Sequence, residues 1–500
     1  MKNTFDYLIL GSGISGMTLA LLFASSGAKT AVLERSNAYG GAMQRFRRNG
    51  VPLDTGFHFT GNLTDSFGDM LTILGIRDMV KTSVVRQKIF FRNSGNSMEL
   101  PAGIRALEEF LLQKYPLQIE GIKAYFAAEQ RVFDNTPLFH LQTEQAFEDE
   151  LPEIPEDQIT LDEFLDHYNI HGELRGILCA VCSCHGTPPQ EISFANHARI
   201  HYGLSNDPLR IVNGGEAIVN AFIKRAGDLN ITLMKNNEIK SWGEMDDSGK
   251  IYSAVLADGS VIEFKNLIFT QHPKEILRML PPEKLRAQFC ERINSLADSC
   301  GFYTWYAVLD DNAMEEEDEL CSCLSSPDLN SILDGCHPEE RTTGFVFSTE
   351  QKSDGAFCRC VTAFQSVFAD ETAAFADSTV NNRPAGYTIY KQNKDRELEE
   401  LFYELYPQYR NRVKHICSSS MLTFRDYLGS SGSAYGVRQK IFQNNLFGRL
   451  PVRNFYTASQ SSILPGAVGS MLTALVLFRK LAGEDAYKNA LSKVQKGGAL

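Results

Sequence analysis

Three glycines in the run Gly11-Ser12-Gly13-Ile14-Ser15-Gly16, with Glu34 following 23 residues after Gly11, have the types and spacing that hold a dinucleotide. Gly11 lets the chain turn sharply out of a strand. Gly13, with no Cβ, lets the backbone approach a pyrophosphate, and Gly16 lets a helix pack close against a sheet. The helix opening here, with Ser15 in its first turn, offers free N–H groups and the positive end of its dipole to phosphates. Glu34 stands where a carboxylate accepts hydrogen bonds from adenosine ribose hydroxyls.

A glycine-rich turn is common, so the elements around it decide its meaning. Phe5 to Leu10 is a short, mostly apolar run suited to a buried parallel strand. An apolar helical stretch runs from Ile14 to about Ser26 and stops at Gly27, and Lys29 to Leu33 make a second strand ending at Glu34. This is the opening of a doubly wound sheet.

Eleven cysteines include three close-spaced sets, Cys179/Cys182/Cys184, Cys321/Cys323 and Cys358/Cys360. The first runs on to His185, but its spacing fits no standard ligand set and no matching second knuckle follows. Buried, inert thiols in a reducing compartment are expected, with no metal.

Farther along, mixed helical sequence fills 62–200, including an amphipathic stretch from Leu100. A helix is expected over Ala217–Ala226, then a hairpin turning at Asp258-Gly259 with its second strand ending near Thr270. Runs at 302–309 and 343–365 suggest strands of a second sheet, with Glu315 to Glu319 as a solvated loop between them. Residues 453–482 read as strand, turn and helix, and the polar stretch after Glu484 predicts a frayed tail.

With 500 residues, 43% hydrophobic and 22% charged, the chain has the composition of a globular enzyme of two or three domains. A formal net charge of −12 argues against nucleic acid. The N-terminus shows no signal peptide, and no apolar run approaches the ~18–20 residues that span a bilayer. A cytoplasmic protein, able to sit peripherally on a membrane, is expected.

After Glu34-Arg35 the chain passes Gly40-Gly41-Ala42-Met43 and reaches Asp54-Thr55-Gly56. Here it resembles the flavoprotein superfamily of amine oxidases and carotenoid desaturases, in which an Arg usually follows the Gly-Gly turn. Ala42 and Met43 stand there instead. The stretch Val51–Gly61 (VPLDTGFHFTG), the segment Gly186–Tyr202, the run IVNGGEAIVNAF and DYLGSSGSAYG (Asp426–Gly436) are similar to elements of the retinol saturase and carotenoid isomerase branch. Asn454–Leu475 is similar to its closing flavin segment, with Ser459-Gln460 where relatives have Gly-Gln or Gly-Asp.

The resemblance implies an α/β fold in which a Rossmann-type FAD-binding domain is interleaved with an α+β substrate domain. The expected boundaries are 1–61, 205–290 and 440–484 for the first, 62–204 and 291–439 for the second, and 485–500 for the tail. It implies noncovalent FAD held by Gly11, Gly13, Ser15, Gly16, Glu34, Arg35, Gly41, Ala42 and Met43. Ile239 is expected at the adenine through its backbone, His272 near the same end, and Ser459, Gln460, Ala467 and Val468 around the flavin ring.

The activity implied is hydride transfer at a carbon–carbon bond of a polyene or isoprenoid: saturase, desaturase or cis-trans isomerase. His58 and Tyr435 are the candidate proton-handling or positioning residues. A hydrogen-bonded core imidazole and an aromatic core residue are the plain alternatives. The expected partners are a hydrophobic small molecule, an electron donor or acceptor that the sequence does not identify, and a membrane surface. Phe110, Leu111, Tyr115, Tyr125 and Phe126 are expected around the channel mouth, unless they form a helical core. Two other classes compete: an amine oxidase acting on a polar amine through a small aromatic cavity, and a non-catalytic flavin-binding partner with a blocked flavin face.

Overall fold

The computed structural model describes residues 4–149, 151–310, 317–429 and 431–495. The first strand, Thr4–Leu10, lies inside an eight-stranded sheet, parallel to Thr30–Leu33 on one side and Val261–Phe269 on the other. Leu8, Ile9 and Leu10 are all buried, as a central parallel strand covered on both faces requires. Thr232–Met234 extends the sheet beyond the second strand, and Phe455–Thr457 joins Val261–Phe269 in parallel. The expected hairpin is present: Ser253–Leu256 pairs antiparallel with Val261–Phe269, and Gly259 turns between them at φ +84.

Helix Ile14–Ser25 follows the glycine turn, and the chain leaves it at Gly27, in the left-handed region at φ +91. A Cβ on Gly16 would sit 2.0 Å from the Gly11 carbonyl oxygen, so only glycine lets this helix lie so close to the turn. Helix Gly466–Ala482 packs along it, and together they bury Leu19, Phe23, Leu475 and Phe478 in the largest core cluster.

A second sheet of seven strands runs in the order Val413–Ser419, Gly301–Leu309, Phe357–Val367, Thr342–Gln351, Glu319–Leu324, Arg86–Phe91, Asn96–Leu100. Only the pair Glu319–Leu324 with Arg86–Phe91 is parallel. The helices of the inserted segment pack on this edge, sharing a core with Ile89 and Phe91.

Four local expectations change. Leu111, Tyr125 and Phe126 are buried in that helical core, with Phe110 and Tyr115 packed against it, so they form a subdomain interior rather than a channel mouth. Helix Ser66–Leu74, placed by sequence with the substrate segment, buries Phe67, Met70 and Leu71 in the nucleotide-binding core. The expected frayed tail is helix Glu484–Gln495, whose Tyr487, Leu491 and Val494 close the same core. Its apolar residues fall on one helical face, which tertiary packing rewards despite the polar composition. Finally, Glu319 begins a strand, and the buried Arg359 ion-pairs with Asp318 at 3.0 Å, so that end of the acidic run is structured; Glu315 and Glu316 lie outside the described residues.

Candidate functional site

Where the parallel strands end, a cleft of about 560 Å³ opens. Its walls include Gly11, Gly13, Ser15, Glu34, Arg35, Gly41, Ala42, Met43, Ile239, Ser459, Gln460 and Ala467, which the chain brings together from five separate segments. Gly16 is not in the wall; it serves packing beneath the turn. Val468 lies farther in, on the adjoining chamber.

The glycine turn has the features a pyrophosphate needs. A Cβ built on Gly13 meets nothing within 4 Å, since it points into open cleft. No side chain caps the helix that starts beside it, so its first N–H groups remain free for an anion. Glu34 is held in place before any ribose arrives. Ser12 donates to Glu34 Oε2 from Oγ at 2.6 Å and from its backbone N–H at 2.9 Å, while the Ser36 N–H donates to Oε1 at 2.8 Å. Ser12 also accepts the Gly40 N–H at 3.0 Å, tying the glycine turn to the Gly-Gly turn. These residues fit a dinucleotide such as FAD.

The distal end of the cleft carries Asn237, Ile239, His272, Glu275 and Arg278. Burial pushes the Glu275 carboxyl up to about 7, against the pull of Arg35 and Arg278. Glu275 and Arg278 lie on the short helix Pro273–Met279, and nothing in their spacing advertised them.

At its other end the cleft shares Ala42, Gly56, Phe57, Phe424, Tyr435 and Ala467 with a chamber of about 170 Å³. Helix Gly466–Ala482 aims its uncapped N-terminus at this junction, as the small residues there allow. Phe57, Phe59, Phe139, Phe302 and Phe364 line the chamber, and none of its lining residues is an Asp or Glu. Its one guanidinium, Arg199, is bound to Asp157 at 2.8 Å.

His58 and Tyr435 both line the chamber. The His58 ring stacks on Phe364 at 4.8 Å, and its Nδ1 makes no hydrogen bond, with Asp54 Oδ2 at 3.7 Å. Tyr435 stands edge-on to Phe302 at 6.1 Å, and burial holds its phenol well above the ordinary range, so it is a proton donor rather than an anion.

Behind His58 is a buried square of charge invisible to motif reading. Arg45 pairs with Asp54 and Glu350, and Arg210 pairs with the same two carboxylates, all four contacts being 2.7 Å. Burial alone would raise the Asp54 carboxyl, but Arg210 and then Arg45 hold it well below the usual range.

The cysteine reading needs one addition. Cys182, His185 and His197 are buried with ligand atoms within 4.8 Å of one another, the only such trio among the described residues. Their hydrogen bonds run one way. The Thr187 N–H donates to His185 Nδ1, so His185 Nε2 bears the proton and donates to His197 Nδ1 at 3.4 Å; His197 Nε2 in turn donates to the Leu178 carbonyl at 3.0 Å. An ion on His185 Nε2 would demand an anionic ring. Burial holds both imidazoles neutral, His185 down to about 3.

The flavin containing amine oxidoreductase family matches this chain over residues 14–307. All-trans-retinol 13,14-reductase of Danio rerio is 20% identical, with 99% of this chain and 90% of that protein aligned. The Macaca fascicularis protein of the same name is 26% identical over 98% of this chain and 87% of its own length. Among solved structures, an oxidoreductase from Methanosarcina mazei superposes with a TM-score of 0.64 at 12% identity, covering 94% of this chain and 99% of its own. Cyclohexylamine oxidase from Brevibacterium oxydans gives 0.58 at 14% identity, covering 99% and 100%.

Proposed function

The chain belongs to the flavin containing amine oxidoreductase family and is an FAD-dependent oxidoreductase; from that premise we propose that it acts on a carbon–carbon double bond of a long apolar polyene of the retinoid or carotenoid kind. The observation that carries this reading is the chamber itself. It adjoins the cleft at the Gly466 helix end, sets the aliphatic Ile200, Leu204, Leu464, Val468 and Leu472 among its phenylalanines, and offers no carboxylate to an ammonium group. An amine substrate would face Arg199 with no carboxylate in the lining to offset its charge. A polyene gains affinity from burial alone, at about 25 cal/mol per Å². The retinol 13,14-reductases that align along almost the whole chain support the same substrate class.

In this reading Gly11, Gly13 and the helix from Ile14 would hold the pyrophosphate, and Glu34 the adenosine ribose. The Ile239 backbone would meet the adenine, while Ala42, Ala467 and the helix N-terminus at Gly466 would face the ring. Bound FAD supplies the two-electron redox chemistry. The phenylalanine walls exclude water and fix the double bond in the chamber. His58, whose Nδ1 has no hydrogen bond, would deliver or remove the accompanying proton, with the Tyr435 hydroxyl as a donor from the other wall.

The substrate would be drawn from a membrane surface; no described helix is long and apolar enough to cross one. Liposome flotation, with and without anionic lipid, tests that docking. The function is tested by reducing the purified protein anaerobically and adding a panel of isoprenoids and amines. Reoxidation by a polyene alone is the expected result, and reoxidation by a small amine alone defeats the reading.

A further inference from the structure

Two cysteine pairs share the spacing Cys-x-Cys on strands of the second sheet, and their surroundings differ. Cys321 and Cys323 lie in strand Glu319–Leu324, which is laddered on both sides: Cys321 pairs with Phe345 and Lys88, Cys323 with Thr343 and Phe90. Burial pushes the Cys321 thiol up to about 12, and raises Cys323 as well. Cys358 and Cys360 lie in strand Phe357–Val367, whose ladder to Gly301–Leu309 ends at the pair Val308 with Cys360. Cys358 stands beyond that end; among the described residues it is laddered on the other side alone, to Glu350. Residues two apart on a strand share a face, and here the two thiols meet, Sγ to Sγ at 3.7 Å. With the Cys360 S–H as donor, that contact holds the Cys358 thiol below its ordinary value against burial, and Lys352 adds to the effect. Cys358 is 7% exposed, and the exposed run 353–357 leads directly into it.

We propose that Cys358 and Cys360 are a dithiol modification site for hydrogen peroxide, closing to a disulfide and reopening with a thiol reductant. The Cys358 thiolate attacks one peroxide oxygen, the O–O bond breaks, and the departing hydroxide takes up the thiol's proton and leaves as water; Cys358 becomes a sulfenic acid. Cys360 Sγ then attacks Cys358 Sγ, the S–O bond breaks, and the hydroxyl leaves as water with the Cys360 proton. Two thiols and one peroxide thus give one disulfide and two waters, with two electrons passing from sulfur to oxygen. Two strand residues put the Cα atoms about 6.6–6.8 Å apart, the long edge of what a disulfide spans, so closing the bridge draws the strand in locally. Cys358 is free to follow on its unladdered side, whereas Cys321 and Cys323 would have to break hydrogen bonds on both. The movement bears on the buried ion square, because Glu350, the register partner of Cys358, pairs with Arg45 and Arg210.

The test treats the FAD-loaded protein with hydrogen peroxide, then unfolds it, alkylates the remaining thiols and maps the peptides by mass spectrometry. The peptide holding Cys358 and Cys360 is expected to lose both thiol hydrogens and escape alkylation, while Cys321 and Cys323 alkylate fully; dithiothreitol should restore the first pair. Cys360→Ser should stop at the sulfenic acid, which a 1,3-diketone probe labels on Cys358. Oxidised wild type should melt at a lower temperature than reduced, and peroxide-treated Cys358→Ser should not shift. A Cys358 that stays reduced under peroxide that oxidises the exposed Cys336 overturns the site. A bridge forming equally between Cys321 and Cys323 overturns the argument from the ladders, and an unchanged melting temperature in the bridged protein overturns the link to the ion square. Should Cys360→Ser fail to fold, the wild-type peptide map alone decides.

Discussion

Arg210 donates from Nη1 to the backbone carbonyl of His58 at 2.7 Å while its other nitrogen bridges Asp54 and Glu350. The ring proposed to handle protons is thus carried on a backbone pinned by a buried ion square. That square also ties strands Arg45–Arg48 and Val51–Asp54 to strand Thr342–Gln351 of the second sheet. Two cations and two anions cancel only as a set. Asp54→Asn leaves two buried guanidinium groups sharing one carboxylate, so unfolding stability should fall by about 3–5 kcal/mol. Denaturant melts check this. Because the Asp54 carboxyl is held low in the fold, its contribution is present above pH 3.8 and lost as pH falls below it. The destabilisation by Asn should accordingly shrink in acid.

Gly13→Val separates cofactor binding from folding. Gly13 has φ −62 and ψ 176, open to any residue, and its missing Cβ faces empty cleft. The variant should fold with an unchanged far-ultraviolet spectrum yet purify without yellow colour, its side chain standing where the pyrophosphate belongs. Gly16→Ala is the contrast: its methyl group would strike the Gly11 carbonyl, so stability should drop. A fully yellow Gly13→Val protein would remove this turn from the cofactor site.

The contrast between these glycines and the ion square explains what was legible. The βαβ unit declares itself because its signals are local: strand, turn, helix and acid fall within 34 residues. Ser12 was within reach of the same reasoning, being the one side chain between Gly11 and Gly13 that can brace Glu34. Arg45, Arg210 and Glu350 were not, since their meeting depends on strands up to 305 residues apart in sequence. The helical insertion misled for a related reason. Periodicity shows that Leu111 and Phe126 need a partner, but not whether that partner is a substrate or another helix. Likewise, His197 approaches His185 only because helix Phe194–Asn206 folds back over the preceding turn.

His58→Ala should keep its flavin, since the ring lines the chamber rather than the nucleotide cleft. Turnover should fall about 100-fold, the lower range for loss of a proton-transferring group. The telling readout is kcat, which should fall with KM little changed. Unchanged rates from acid to alkaline pH would assign His58 to packing against Phe364 alone.

Glu275 makes the fold pH-sensitive at the distal end of the cleft. Its carboxyl is raised from an ordinary 4.5 to about 7 because burial outweighs Arg35 and Arg278. A raised acid contributes its stability in full below the ordinary value, and that contribution is lost as pH rises through 7. Above neutrality the protein must therefore hold an incompletely solvated charge, which glutamine never acquires. Glu275→Gln should leave Tm nearly unchanged at pH 5 and raise it above wild type at pH 8, with the difference developing between pH 5 and 8. Thermal melts of both proteins across that range decide the matter. A Tm difference that stays constant with pH would mean Glu275 is solvated, and that its two arginines merely pass nearby.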